Sequence, residues 1–301
     1  MSKGHFLVFS TAIISGFAIF INKFGVSVVN PYIYTFLRVL TVAIFLTSLL
    51  FFKDWQKLKQ LTKKQWLLLI AIGLVGGSIP FLLFFKGLAQ TTAAQGSFIH
   101  KTMFIWVAIL ATLFLKEKID RKFLFGGLIL LIANLILLKK LPLNLNKGDL
   151  LIFLATLLWA IENTISKYTL KNLEGRIVAW GRMFFGAIFV FLFLFSTNQI
   201  HLIIGLTLKQ LGWVLITAII LFFYVMTWYN GLKFVPVSQA TAILLFGSPI
   251  TTFLNLVSGD KVSPKEFFSA ILIILGILII LFTKETFEKI KKLKKLIYVR
   301  I

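Results

Sequence analysis

The chain has 301 residues, 59% hydrophobic and only 14% charged, with a mean hydropathy of +0.95 and a formal charge of +22. A soluble domain is about 25% charged, so an ordinary cytosolic enzyme is excluded. The absence of cysteine rules out disulfides and thiolate chemistry, and three scattered histidines (His5, His100, His201) offer no metal-ligand pair.

Neither a metal nor a cofactor is expected. The basic residues lie between apolar runs rather than on one soluble face, which argues against a nucleic-acid partner and for loops beside anionic lipid. Each run is about 20 residues long, enough for a helix to cross ~30 Å of hydrocarbon. The runs are continuous rather than alternating, so helices are expected rather than a barrel.

In chain order the expected spans are 6–22, 31–52, 66–85, 92–115 and 123–138, then 150–166, 176–196, 211–230, 237–257 and 267–283. The first ends in Asn22-Lys23 without a small-x-small cleavage site and reads as a spanning helix, not a removed leader. With the N-terminus inside, the inner segments carry 21 Lys and Arg against 8 outside. Both termini are therefore expected in the cytoplasm. After the last span, Phe287, Ile290, Leu293 and Ile297 recur at helical spacing among lysines. Residues 284–301 read as a basic amphipathic tail on the anionic inner leaflet.

Sliding the chain on itself by 144 residues aligns Lys23 with Lys167, Arg38 with Arg182, Gly87-Leu88 with Gly231-Leu232 and Gln95 with Gln239. At an offset of 145, Leu61-Thr62 and Lys64-Gln65 meet Leu206-Thr207 and Lys209-Gln210. The chain thus divides into five-helix repeats at 1–140 and 141–283. Five is odd, so the second repeat enters the membrane inverted. The loop charges agree: 53–64 carries five lysines and its counterpart 197–208 none. The expected fold is an all-α membrane protein of ten transmembrane helices in two inverted repeats. Such repeats suit alternating access to a shared central site.

Charges inside spans are costly, about 2.5–3.5 kcal/mol at a helix centre, so each needs a reason. Lys101, beside His100 near mid-span, is a candidate to hold a substrate carboxylate or phosphate, or to pair with Glu162. Glu162, with Trp159 and Asn163 on overlapping faces, is a candidate for proton coupling, for a substrate amine, or for neutralising Lys101 or Arg182. The repeat-related Arg38 and Arg182, like Lys23 and Lys167, read as gating or structural charges. Trp106 and Trp159 lie near mid-span and are candidate pocket walls; Gln95 and Asn230 are weaker polar candidates. Gly73, Gly76, Gly77 and Pro80 make the third span pliable.

These residues resemble the EamA-type transporters of the drug/metabolite transporter superfamily. The resemblance rests on Lys23 and Lys167 closing the first helix of each half, on Arg38 and Arg182 in the second helices, and on Leu113-Phe114-Leu115-Lys116-Glu117-Lys118 before Gly126-Gly127. Ser248-Pro249 and Gly259-Asp260-Lys261 occupy the corresponding places in the second half, with Asp260 for the usual Glu. The resemblance implies a multi-pass protein of the cytoplasmic membrane that moves a small metabolite, with export the commoner theme. The family commonly has a proline in both fourth helices, so a hinge is expected only near Pro249. The first half reads Ser97-Phe98-Ile99-His100-Lys101-Thr102-Met103 there.

A midplane cation near one carboxylate suits a zwitterion or organic anion, and an amino acid is the first expectation. The alternatives are a multidrug exporter of cations and, from another class, a membrane-embedded lipid-modifying enzyme. The latter would need clustered acids or histidines near an interface.

Overall fold

Capping chemistry sets where the spans begin. Thr62 accepts from the backbone of Gln65 while the Gln65 side chain accepts from the Thr62 backbone, and Thr207 and Gln210 repeat the arrangement. The matched Thr-x-x-Gln pairs of the two halves are thus the same helix start, used twice. Asn30 caps a helix that opens on Pro31, and Asp120 and Asn146 cap two more.

The computed structural model describes residues 2–26, 28–88, 90–91, 93–137, 146–259 and 261–281. Among these there is no strand. The helices are α1 (Lys3–Val26), α2 (Pro31–Lys53), α3 (Trp55–Lys59), α4 (Lys63–Gly77), α5 (Ile79–Leu88), α6 (Ala93–Lys101), α7 (Met103–Leu115) and α8 (Arg121–Ile136). They continue with α9 (Lys147–Thr169), α10 (Gly175–Ser196), α11 (Leu208–Leu232), α12 (Val237–Leu244), α13 (Gly247–Val257) and α14 (Pro264–Leu281). Nine segments of the described residues are long and apolar enough to cross a membrane, three of them formed by consecutive pairs: α4–α5, α6–α7 and α12–α13. The remaining expected span, 123–138, corresponds to α8, which has 16 described residues. The tail 284–301, Asp260 and the side chain of Lys23 lie outside the described residues.

Three spans are interrupted. Pro80 has no N–H to donate to the Gly76 carbonyl, and α4 ends just before it. The α12–α13 join falls at Leu245–Phe246, ahead of Pro249. The α6–α7 join corrects the expectation of a hinge only near Pro249: this span breaks at Thr102 with no proline. There the Thr102 hydroxyl donates to the Ile99 carbonyl at 2.6 Å and the Thr102 N–H bonds both Phe98 and Ile99. A hydroxyl bonded to the carbonyl three residues back competes with the helical N–H donors there.

Packing follows the 144-residue register. α1 lies on α11 as α9 lies on α4 and α5; α1 also meets α12 and α13 as α9 meets α6 and α7. α2 pairs with α10 and α8 with α14. The closest crossings use small residues, as in membranes, where backbones approach for van der Waals contact. A methyl group at Gly87 would stand 2.6 Å from the Gly148 carbonyl oxygen. The repeat mates Gly231 and Gly4 form the matching crossing, where a methyl at Gly231 would stand 3.0 Å from the Val8 nitrogen. Outward faces carry exposed Leu113, Phe114, Leu124, Phe125, Phe191 and Phe223. So much exposed apolar surface is stable only against lipid.

At one end, Asp54, Lys57, Glu174 and Arg176 form a charge cluster that ties α3 to the start of α10. Lys57 reaches Asp54 at 2.8 Å and Glu174 at 2.6 Å; Arg176 reaches Glu174 at 2.9 Å and Asp54 at 3.2 Å. Lys57 and Arg176 hold the Glu174 carboxyl below its ordinary range, and Asp54 and Glu174 hold the Lys57 ammonium above its own.

Candidate functional site

The Gly76 carbonyl that Pro80 cannot serve is satisfied by side chains from two other helices. Trp159 Nε1 donates to it at 3.1 Å and Arg182 Nη2 at 3.2 Å. Freed backbone groups at membrane depth need such partners. Glu162 packs against the same residue: a methyl at Gly76 would overlap the Glu162 side chain. Glycine is what lets α9 bring its carboxylate here.

Glu162 is fully buried. Its Oε1 accepts from Tyr229 at 2.6 Å and from Ser166 at 2.6 Å, and its Oε2 lies 3.7 Å from Arg182 Nη1. Arg182 Nη1 also donates to the Tyr229 hydroxyl at 3.1 Å. The hydrogen bonds from Tyr229 and Ser166 and to Gly76 offset part of the cost of burying the ion pair, although Glu162 Oε2 and Arg182 Nε have no hydrogen-bond partner. Of the alternatives open for Glu162, the geometry realises the pairing with Arg182.

Beside this cluster lies a cavity of about 320 Å³ walled by α1, α2, α5, α6, α7, α9, α10, α11 and α12. Phe81, Phe84, Phe85, Trp159, Tyr224 and Trp228 supply ring surface. His100 joins them, with its ring centroid 4.8 Å from Trp159 and 5.5 Å from Phe84. Arg38, Arg182, Asn22 and Asn163 line it as well. Four of these residues hold buried polar atoms without a partner: Arg38 Nε, His100 Nδ1, Asn163 Oδ1 and Arg182 Nε. Buried polar atoms are nearly always satisfied, so a cluster of exceptions around one cavity calls for an explanation.

The lining repeats itself. At the 144-residue offset Ser15 matches Trp159, Ile19 matches Asn163, Arg38 matches Arg182, Phe84 matches Trp228 and His100 matches Leu244, all of them in the wall.

Lys101 is elsewhere. It faces a wider cavity of about 640 Å³ with Ser97, Asn134, Ser248, Thr251, Asn255 and Glu266. Ile19 lines both cavities, so they adjoin. The structure therefore keeps Lys101 apart from the Glu162 cluster and brings His100, Trp159 and Asn163 together with the two arginines. Trp106 sits outside the smaller cavity's wall, donating to Thr102 at 3.2 Å and edging Phe153. Lys167 has a structural duty, its Nζ donating to the carbonyls of Leu232 and Val235 at 2.7 Å beyond α11. Glu117 caps α12 in a similar way, accepting from Val237 at 2.7 Å. Sequence reasoning passed over Phe81 and Phe84; the repeat register would have found Phe84 as the mate of Trp228.

The EamA-like transporter family model matches twice, over residues 2–139 and 146–282. "Uncharacterized transporter YyaM" of Bacillus subtilis is 24% identical over 87% of this chain and 90% of its own. "Riboflavin transporter ImpX" of Fusobacterium nucleatum is 28% identical over 92% of this chain and 96% of its own. A solved crystal structure shares the fold with a TM-score of 0.72 at 16% identity, covering 91% of this chain and 94% of that one. The apolar helices, the interrupted spans and these matches agree on a multi-pass protein of the cell membrane: the chain belongs to the EamA-like transporter family.

Proposed function

We propose that this transporter is a secondary carrier whose substrate is a small, flat aromatic metabolite bearing an acidic group, bound in the 320 Å³ cavity. The observation that carries the reading is the combination in one wall of six aromatic side chains, two guanidinium groups and unpartnered polar atoms. Rings offer faces to a flat substrate, and a few placed polar groups orient it. An aromatic amino acid meets both the expected zwitterion and the ring lining. The flat ring system of riboflavin, named for one relative, is of the same shape class. The Arg38 guanidinium in the wall weighs against a cationic drug, which it would repel.

We place ten spans across the membrane, with both termini cytoplasmic and the second half inverted. The loop charges and the exchanged helix pairings support this arrangement. The Lys101 cavity then opens toward the outer face, where Ser263 and Glu266 lie, and leads past Ile19 to the central one. Alternating access would expose the central cavity to each side in turn, with export the direction that the family resemblance implies.

The test is thermal stabilisation and proteoliposome counterflow of the purified protein with aromatic amino acids, flavins, nucleobases, aliphatic amino acids and cationic dyes. Saturable stabilisation and counterflow confined to flat, non-cationic aromatics are expected. A response confined to aliphatic or cationic compounds overturns the reading.

A further inference from the structure

The two cavity arginines are repeat mates, yet their surroundings differ. Arg182 has Glu162 at 3.7 Å and the Tyr229 hydroxyl at 3.1 Å. The register places Ala18 and Phe85 where a matching carboxylate and hydroxyl would stand around Arg38, and both line the cavity. The room is missing as well, because the mate of Gly76, whose bareness admits Glu162, is Ile220. Arg38 is left with the face of the Tyr34 ring, 5.0 Å from its guanidinium carbon, and with a buried, unpartnered Nε. Tyr34 gives its hydroxyl to Asn22 and Thr217 instead. Among the described residues no carboxylate pairs with Arg38. A ring face attracts a cation but leaves its charge uncancelled. Arg182 also has an unpartnered Nε, but its charge is already countered.

We propose that Arg38 is the residue that binds the substrate's carboxylate, as the free member of a pair whose other member is permanently neutralised from within the protein. A guanidinium matches a carboxylate with two parallel N–H donors, which a lysine cannot reproduce. The carboxylate would supply to Arg38 what Glu162 supplies to Arg182, and the aromatic wall would take the rest of the molecule. The inference rests on the reading of the central cavity as the substrate site.

The experiment compares indole-3-acetate, phenylacetate and nicotinate with their uncharged amides on the purified full chain. Wild type should bind at least one acid roughly tenfold more tightly than its amide. Arg38→Gln should bring that ratio to about one while amide affinity changes less than threefold, which also shows the variant is folded. Arg38→Lys, which keeps the charge and loses the fork, should fall between. Retention of the full acid preference in Arg38→Gln or Arg38→Lys overturns the role of Arg38 and leaves the cavity assignment standing. Indifference of wild type to all six compounds overturns the cavity assignment and the Arg38 role with it.

Discussion

Arg182 Nη2 donates at 3.2 Å to the carbonyl of Gly76, the group that Pro80 leaves without a helical donor. A break in one helix is thus tied directly to a guanidinium on another, and through it to Glu162. Gly76→Ala places a methyl on the Glu162 side chain. Overpacking of this kind costs ~1–3 kcal/mol. We expect a lowered melting temperature in detergent and transport reduced by tenfold or more, while Gly212→Ala, in open space, changes neither.

Removing half of the Glu162–Arg182 pair should cost more than removing both. Glu162→Gln leaves a buried guanidinium uncompensated, and breaking such a pair costs ~3–5 kcal/mol. The double variant Glu162→Gln/Arg182→Met should recover part of that loss. Thermal unfolding of the two single variants and the double variant gives the coupling. Additive losses would show that the two side chains act independently.

The Asp54–Lys57–Glu174–Arg176 cluster gives an acid dependence of known sign. The Glu174 carboxyl titrates below its ordinary range because Lys57 and Arg176 favour its charged form. Its contribution to stability is therefore present above the ordinary carboxylate pKa and is lost as pH falls through the depressed value. Both Lys57 and Glu174 are more than a third exposed, so the effect is small and screened by salt. Glu174→Gln should flatten the acid limb of a melting-temperature profile at low salt and change little at neutral pH in high salt.

The chain contains no cysteine, so single cysteines report topology without background. In inside-out vesicles a membrane-impermeant maleimide should label Lys59→Cys and spare His201→Cys, and intact cells should reverse the pattern. Labelling of both from one side would end the inverted-repeat arrangement.

Much of the fold was legible because lipid leaves few choices. Continuous apolar runs can only be helices, and the Thr-x-x-Gln starts and glycine pairs recur at nearly one offset. The break at Thr102 was not legible, because a hydroxyl competing for a backbone carbonyl leaves no mark as plain as a proline. The site was legible in part. His100, Trp159 and Asn163 line the central cavity, but adjacent Lys101 faces another. Neighbours on a helix point about 100° apart, and composition does not say which direction holds the cavity. The difference between Arg38 and Arg182 lay in residues 18, 85 and 220 all along, visible only when each half is laid on the other.

The two glycine crossings, Gly87 on Gly148 and Gly231 on Gly4, also bear on how such a protein moves. Where the glycines meet, neither helix raises a side chain of its own, so each crossing works as a bearing on which one rod tilts closely against its neighbour. In the proposed topology one bearing sits at each membrane face. The molecule then has the mechanical form of a rocker carried on two matched pivots. Roughening either pivot with a bulkier residue should slow the swing without altering what the carrier grips.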